Sequence, residues 1–362
     1  MSIKRIVITT AALTLTGGTL AAPAEAGTAK PVPGWRIVHR VANKDVLLRD
    51  VKAGGPRNLW TAGETYGTID HPSTPVALHW NGAKWASLSP RADQVTRLTT
   101  IATSSTGDTW AFGPLMGVDK PERALHWNGK AWTAGGLPGD YTWITTAATF
   151  GPRDVWALGR VGGQNGEPYI AHFNGKRWTK VAAPKNVTSG SINNVVGISP
   201  KNLWAVVAEP FGFAVIHYDG RAWRSMPMPT TVDNPYQSFA GGGLVARGSH
   251  DVWVAGRFPT AKGTGAPGLA HYDGKKWTVV TAPGASTPLA GLADDGHGGL
   301  WATTLYSPSE IWHYSKGHWT KATPKGGVAK PYLSGMTHLP HTTTSVSVGD
   351  ENGPAVLATG AF

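Results

Sequence analysis

The sequence predicts an all-β fold, a seven-bladed β-propeller of four-stranded blades, and three observations predict it. A Trp-centred motif recurs at a nearly constant step, an aromatic hairpin recurs between its copies, and the two ends of the chain together supply a blade that neither completes alone. Self-similarity at a period of this size, filled with short strands, is the signature of propeller blades.

The first motif runs Arg57-Asn58-Leu59-Trp60-Thr61-Ala62-Gly63, then Gly107-Asp108-Thr109-Trp110-Ala111-Phe112-Gly113, then Arg153-Asp154-Val155-Trp156-Ala157-Leu158-Gly159. It returns around Trp204, Trp253 and Trp301, so the tryptophans stand 50, 46, 48, 49 and 48 residues apart. One Trp per blade in the second strand is expected to wedge between neighbouring sheets and bury a large apolar area.

The second motif is an aromatic hairpin, as in Leu78-His79-Trp80-Asn81-Gly82 followed by Trp85, and Ile216-His217-Tyr218-Asp219-Gly220 followed by Trp223. Equivalent units surround His126, His172, His271 and His313. Asn-Gly or Asp-Gly between aromatic strands with period-two alternation marks a tight hairpin turn. Each unit therefore holds an inner strand such as 192–198, a second through the Trp motif, a third ending at the turn, and an outer one through the following Trp. The six histidines read as hydrogen-bonding residues between blades, with a ring of equivalent ligand sites as the alternative.

The ends complete the ring. Residues 333–337 resemble an inner strand, 345–349 a second and 354–359 a third, while Pro33-Gly34-Trp35-Arg36-Ile37-Val38 looks like the missing outer strand. Closing the ring with an N-terminal strand leaves no exposed sheet edge.

Lys4 and Arg5, an apolar stretch over 6–22, and Ala24-Glu25-Ala26 before Gly27 have the order of a secretory signal peptide. The expected division is a leader over 1–26 and a propeller over 27–362, secreted to the extracellular side. No later stretch has the ~20 apolar residues of a spanning helix. The formal charge is +11, about +10 without the leader, and it is spread along the chain with no Lys/Arg block. A nucleic-acid groove is not indicated; the spread charge leaves open a mild attraction to anionic polymers such as bacterial wall material. The chain has no cysteine, which excludes disulfides, thiol nucleophiles and the Tyr–Cys cross-link of copper radical oxidases.

The repeats, an Asp-Val-Trp-Ala-x-Gly type motif followed by His-aromatic-Asn/Asp-Gly-x-x-Trp, resemble the secreted propellers of streptomycetes and other actinobacteria over nearly the whole chain from Trp35. More loosely they are similar to propeller lectins, including the lectin subunits of streptomycete umbrella toxin particles. That resemblance implies a lectin-like module engaging cell-surface or cell-wall glycans, or a scaffold that holds a secreted protein partner.

A catalytic reading, glycan hydrolase or lyase, is the rival. The only turn resembling a sialidase Asp-box, residues 105–110, has its Asp and Gly displaced, and no catalytic residue is assigned. His, Asp and Glu candidates for a metal are Asp70-His71, Asp294 to His297, and His338 with His341, each of which equally suits an ordinary turn. No cofactor is expected, with Ca2+ in the central channel as an alternative.

In a propeller the loops between strands two and three share one rim with those leading to the next inner strand. Binding residues concentrate on such variable loops. Glu64, Tyr66, Asp70 and His71; Arg160, Gln164, Asn165, Glu167 and Tyr169; and Asp233, Asn234 and Tyr236 offer aromatic faces and planar polar groups suited to sugars. Tyr141 and Trp143 add further aromatics, and Phe211 with Phe213 reads as a protein-docking pair.

Overall fold

The computed structural model describes residues 34–68, 70–115, 122–163, 166–209, 212–228, 242–260, 265–326, 331–350, 352–360 and 362. The leader over 1–26 lies outside the described residues, as do Gln164, Asn165, Phe211, Asp233, Asn234 and Tyr236. From Gly34 to Phe362 the chain forms one compact unit. Among the described residues there is no helix, and every strand belongs to one of seven four-stranded antiparallel sheets.

Blades 1 to 6 are built from consecutive strands, and in each the innermost comes first. Blade 1, for example, holds Val46–Gly55, Asn58–Thr65, Pro75–Trp80 and Trp85–Ser87. Blade 7 takes Tyr332–His338, Ser345–Asp350 and Pro354–Ala358 from the C-terminus and Arg36–Arg40 from the N-terminus, with Arg36 opposite Ala358. The ring is thus closed by the strand expected from the sequence.

The repeated tryptophans wedge between blades. Trp60, Trp156, Trp204 and Trp301 are fully buried, and each meets an aromatic of the next blade. Trp60 lies 5.8 Å from Trp132, Trp156 5.9 Å from Trp223, Trp204 5.5 Å from Tyr272, and Trp301 5.4 Å from Trp35 in an edge-to-face pair. Val346 stands at this position in blade 7, and its junction with blade 1 is filled by Phe362 packed on Trp80 and Trp85.

The histidines differ from the expectation. His126, His172, His271 and His313 bond through Nε2 to Asp108, Asp154, Asp251 and Asp295 of their own blade, and His79 and His217 bond to Asn58 and Asn202. In blades 1 to 5 the same Asp or Asn also accepts the indole N–H of the motif Trp two residues on, as Asp154 does from Trp156 at 3.1 Å. Imidazole and indole lie face to face, 4.2 Å apart for His172 and Trp156. The carboxylate or amide, not the imidazole, reaches across: Asn58 Nδ2 donates to Thr103 and Ser104 of blade 2, and Asn202 to Ser249 of blade 5. A buried indole N–H needs an acceptor, and this arrangement supplies one.

Candidate functional site: the mouth of the central channel

Among the described residues five inner strands carry a bulge near their start, where one residue has no partner on the second strand: Arg49, Thr145, Asn193, Ala290 and Ser334. A bulge re-aims a side chain, and here all five line one cavity at the top of the central channel. The glycine of the Trp motif belongs to the same device. A Cβ built on Gly63, Gly113, Gly159 or Gly349 would stand 1.8–2.0 Å from the carbonyl oxygen of Leu47, Arg97, Trp143 or Tyr332, at or just before the start of the inner strand. Only a residue without a side chain lets the two backbones approach so closely.

The cavity has a volume of about 700 Å3 and mixes polar and apolar walls, with Arg49, Asp50, Arg97, Trp143, Asn194 and Met336 among them. A size of a few hundred Å3 is ordinary for a ligand pocket. Ser334 donates to the carbonyl of Leu48, Thr145 to that of Ile192, and Asn194 Nδ2 to that of Gly242 at 2.7 Å. These bonds run from blade to blade and tie the blades together at the mouth.

A chain of charged and aromatic groups crosses the rim over blades 1 to 3. Arg49 Nε donates to Glu64 at 3.1 Å, Arg97 Nε lies 3.9 Å from the other Glu64 oxygen, and the guanidinium of Arg97 sits 4.9 Å above the Trp143 ring. Arg160, directly opposite Trp143 in the sheet, places a second guanidinium 5.2 Å from that ring. Behind them Glu122 is 2% exposed and accepts the backbone N–H of Ile144 at 2.7 Å. Burial pushes its carboxyl up to about 8, against the opposing pull of that N–H and of Arg97 and Arg160. Glu122 Oε1 and Arg160 Nε make no hydrogen bond with the described residues.

Among the described residues the large apolar side chains that remain exposed are Tyr66, Tyr141, Trp143, Tyr306 and Tyr332. Tyr66 and Tyr306 follow second strands, while Tyr141, Trp143 and Tyr332 precede or begin inner strands. Antiparallel connectivity puts all of these positions on one face. Among the described residues the opposite face carries short connections of at most six residues.

Of the sequence candidates, this face gathers Glu64, Tyr66, Asp70, His71, Tyr141, Trp143, Arg160 and Glu167. Two others are corrected. Tyr169 is 1% exposed, and its hydroxyl donates to the carbonyl of Pro138 at 2.6 Å, so it anchors the loop beneath the rim. Phe213 is 4% exposed and packs edge-to-face on Phe258 at 5.6 Å, inside the junction of blades 4 and 5 rather than on a docking surface. Sequence reasoning missed Arg49, Arg97, Glu122, Asn194, Tyr306 and Tyr332. Tyr306 and Tyr332 occupy the same loop positions as the candidates that were found, whereas Glu122 and the bulge residues left no local signal.

Among the described residues no three His, Asp or Glu side chains come together as metal ligands. Asp294 pairs with Arg247, Asp295 accepts from His313 and two backbone N–H groups, and His338 bonds the carbonyl of Thr342. In the channel wall, Asp50 accepts from Thr100 Oγ1 at 2.7 Å and from the N–H of Ile101.

No family model matches the chain, and no curated protein matches it. Solved structures do. YCF48 bound to D1 peptide is similar with a TM-score of 0.62 at 15% identity, over 92% of this chain and 99% of that one. The Niastella koreensis GH74 enzyme gives 0.61 at 12% identity over 90% of this chain, which spans about half of that enzyme, 53%. The WD40 propeller domain of Doa1 gives 0.59 at 10% identity, covering 91% and 98%. The likeness is one of fold.

Proposed function

We propose that this chain is a binding propeller that takes a protein or peptide segment at the mouth of its channel. The observation that carries this reading is the gathering of Tyr66, Tyr141, Trp143, Tyr306 and Tyr332 on one face, with Trp143 and Tyr332 in the wall of the cavity at the channel mouth. Tyr, Trp and Arg are the residues that dominate protein-interface energetics, and Arg49, Arg97 and Arg160 stand among these aromatics. The Trp143 ring already carries two guanidiniums, which suits an acidic or carboxylate-bearing segment better than the apolar face of a sugar. That YCF48 is seen bound to a peptide on a similar fold is in keeping with this.

A second reading, a lectin-like function toward surface or wall glycans, draws on Tyr66 and Tyr141, each about three-fifths exposed, and on the amides of Asn193 and Asn194 at the mouth. In either case we place the protein outside the cell after removal of 1–26, in an assembly with a secreted partner such as a toxin particle.

The test is purification of the chain from culture supernatant, with mass spectrometry of what co-elutes, for wild type and for Tyr66→Ala/Tyr141→Ala/Tyr332→Ala. A stoichiometric protein lost in the variant supports the first reading. Retention on a glycan array, released by free sugar and lost in the same variant, replaces it with the second. Turnover of a glycan substrate would replace both with a hydrolase or lyase.

A further inference from the structure

Charge that looks evenly scattered in the sequence is sorted by the fold. In blades 1 to 6 the tight turn between third and outer strand carries exposed Lys or Arg: Lys84; Lys130; Lys176 and Arg177; Arg221; Lys275 and Lys276; and Lys316. Among the described residues none of these eight forms an ion pair with a carboxylate within 4 Å.

The turns between first and second strands lie at the same end of each blade and add Arg57, Arg153 and Lys201, all exposed. The two sets merge. A Cβ on hairpin Gly82, which has φ +90°, would meet Arg57 at 2.5 Å; one on Gly175 would meet Arg153 at 2.7 Å, and one on Gly220 would meet Lys201 at 2.9 Å. Within a blade the stem of one basic turn therefore lies across the other.

Carboxylates are distributed in the opposite sense. Every glutamate among the described residues, Glu64, Glu122, Glu167, Glu209 and Glu310, belongs to the ends and loops of the aromatic face. At the turn end, Asp108, Asp154 and Asp251 are engaged with His and Trp, Asp295 with His313 and two backbone N–H groups, Asp294 with Arg247, and Asp219 with Arg224. Asp273 is left, and it accepts from the N–H groups of Lys275 and Lys276.

We propose that this turn face is a docking surface for an anionic phospholipid bilayer, which it engages peripherally. The cations are spread over six blades, so a single polymer strand would meet only a few at once, whereas a two-dimensional array of phosphates meets them all. The turns of blades 1 to 6 hold at most five residues and the loop of blade 7 at this end six, residues 339–344, and among the described residues no large apolar side chain is exposed here, so the contact is electrostatic, without base stacking. Lysine predominates, and its ammonium is a point-charge partner for phosphate. Juxtamembrane cations act additively and within a Debye length. Docking by this face leaves the aromatic rim turned toward solution, and the inference does not depend on what that rim binds.

The test is co-sedimentation of the full chain with phosphatidylcholine vesicles, with and without phosphatidylglycerol, at low and high salt. Binding is expected only with the anionic lipid, and it should weaken about fivefold per lysine neutralised. Lys84→Glu/Lys275→Glu on the turn face should abolish it. Lys44→Glu/Lys185→Glu, an equal change of net charge on two exposed lysines of the opposite face, should leave most of it. Equal losses in the two pairs would show a net-charge effect and overturn the proposal. So would binding to inorganic polyphosphate without binding to vesicles, or head-to-tail self-association at low salt in place of either. Unchanged melting of both variants confirms that they are folded.

Discussion

The carboxylate of Glu122, in blade 2, accepts the backbone N–H of Ile144, in blade 3, at 2.7 Å, from a position that is 2% exposed. This joins two blades directly behind Trp143, and it buries an ionisable group whose second oxygen has no partner among the described residues.

Its protonation gives the first prediction. The folded carboxyl titrates near 8 against an ordinary 4.5. Below 4.5 both folded and unfolded chains hold the proton, and the stabilisation is fully present. As pH rises, the unfolded chain loses its proton first, and the contribution falls until it is gone above the folded value. The slope is about 1.4 kcal/mol per pH unit within that window. Glu122→Gln keeps a carbonyl for the Ile144 N–H and has no proton to lose. Wild type should therefore lose thermal stability relative to the variant between pH 5 and pH 8, a window bounded by those two values. Parallel Tm curves across that range would show that Glu122 is not buried as a neutral acid.

The second prediction concerns the bulge. In Gly159→Ala the new Cβ would fall 1.9 Å from the Trp143 carbonyl oxygen, so the inner strand must shift and carry Trp143 and Thr145 with it. A loss of about 1–3 kcal/mol is expected, as for other overpacked sites. Gly136→Ala, with nothing within 4 Å, should stay within about 0.5 kcal/mol. Denaturant melts of the pair separate the close approach from the general effect of adding a methyl group.

The third concerns the acceptor shared by Trp and His. Asp154→Ala strips Trp156 Nε1 and His172 Nε2 of their partner, and an unsatisfied buried donor costs about 1–3 kcal/mol. Asp154→Asn should cost clearly less, because Asn58 and Asn202 fill this place in blades 1 and 4. Equal costs for the two substitutions would mean that the carboxylate charge, not the acceptor oxygen, is what matters.

The sequence alone determined the blade count, the strand order and the closure by residues near Trp35. These follow from local chemistry repeated six times, alternating strands and one Trp per unit with Asn-Gly or Asp-Gly turns in five of them, and from the strands left over at the two ends, which make the seventh blade. It also located the rim loops, since connectivity dictates which turns share a face. The tertiary structure alone decided which rim residues are available. Tyr169 and Phe213 look like Tyr66 in a list of loop aromatics, yet packing from neighbouring strands buries them. Arg49, Arg97, Trp143 and Glu122 come from three blades and meet only because the ring brings positions far apart in the chain onto one rim. The basic turns, evenly spaced along the chain, fall on one face for the same reason: a motif repeated once per blade always lands at the same end of its sheet.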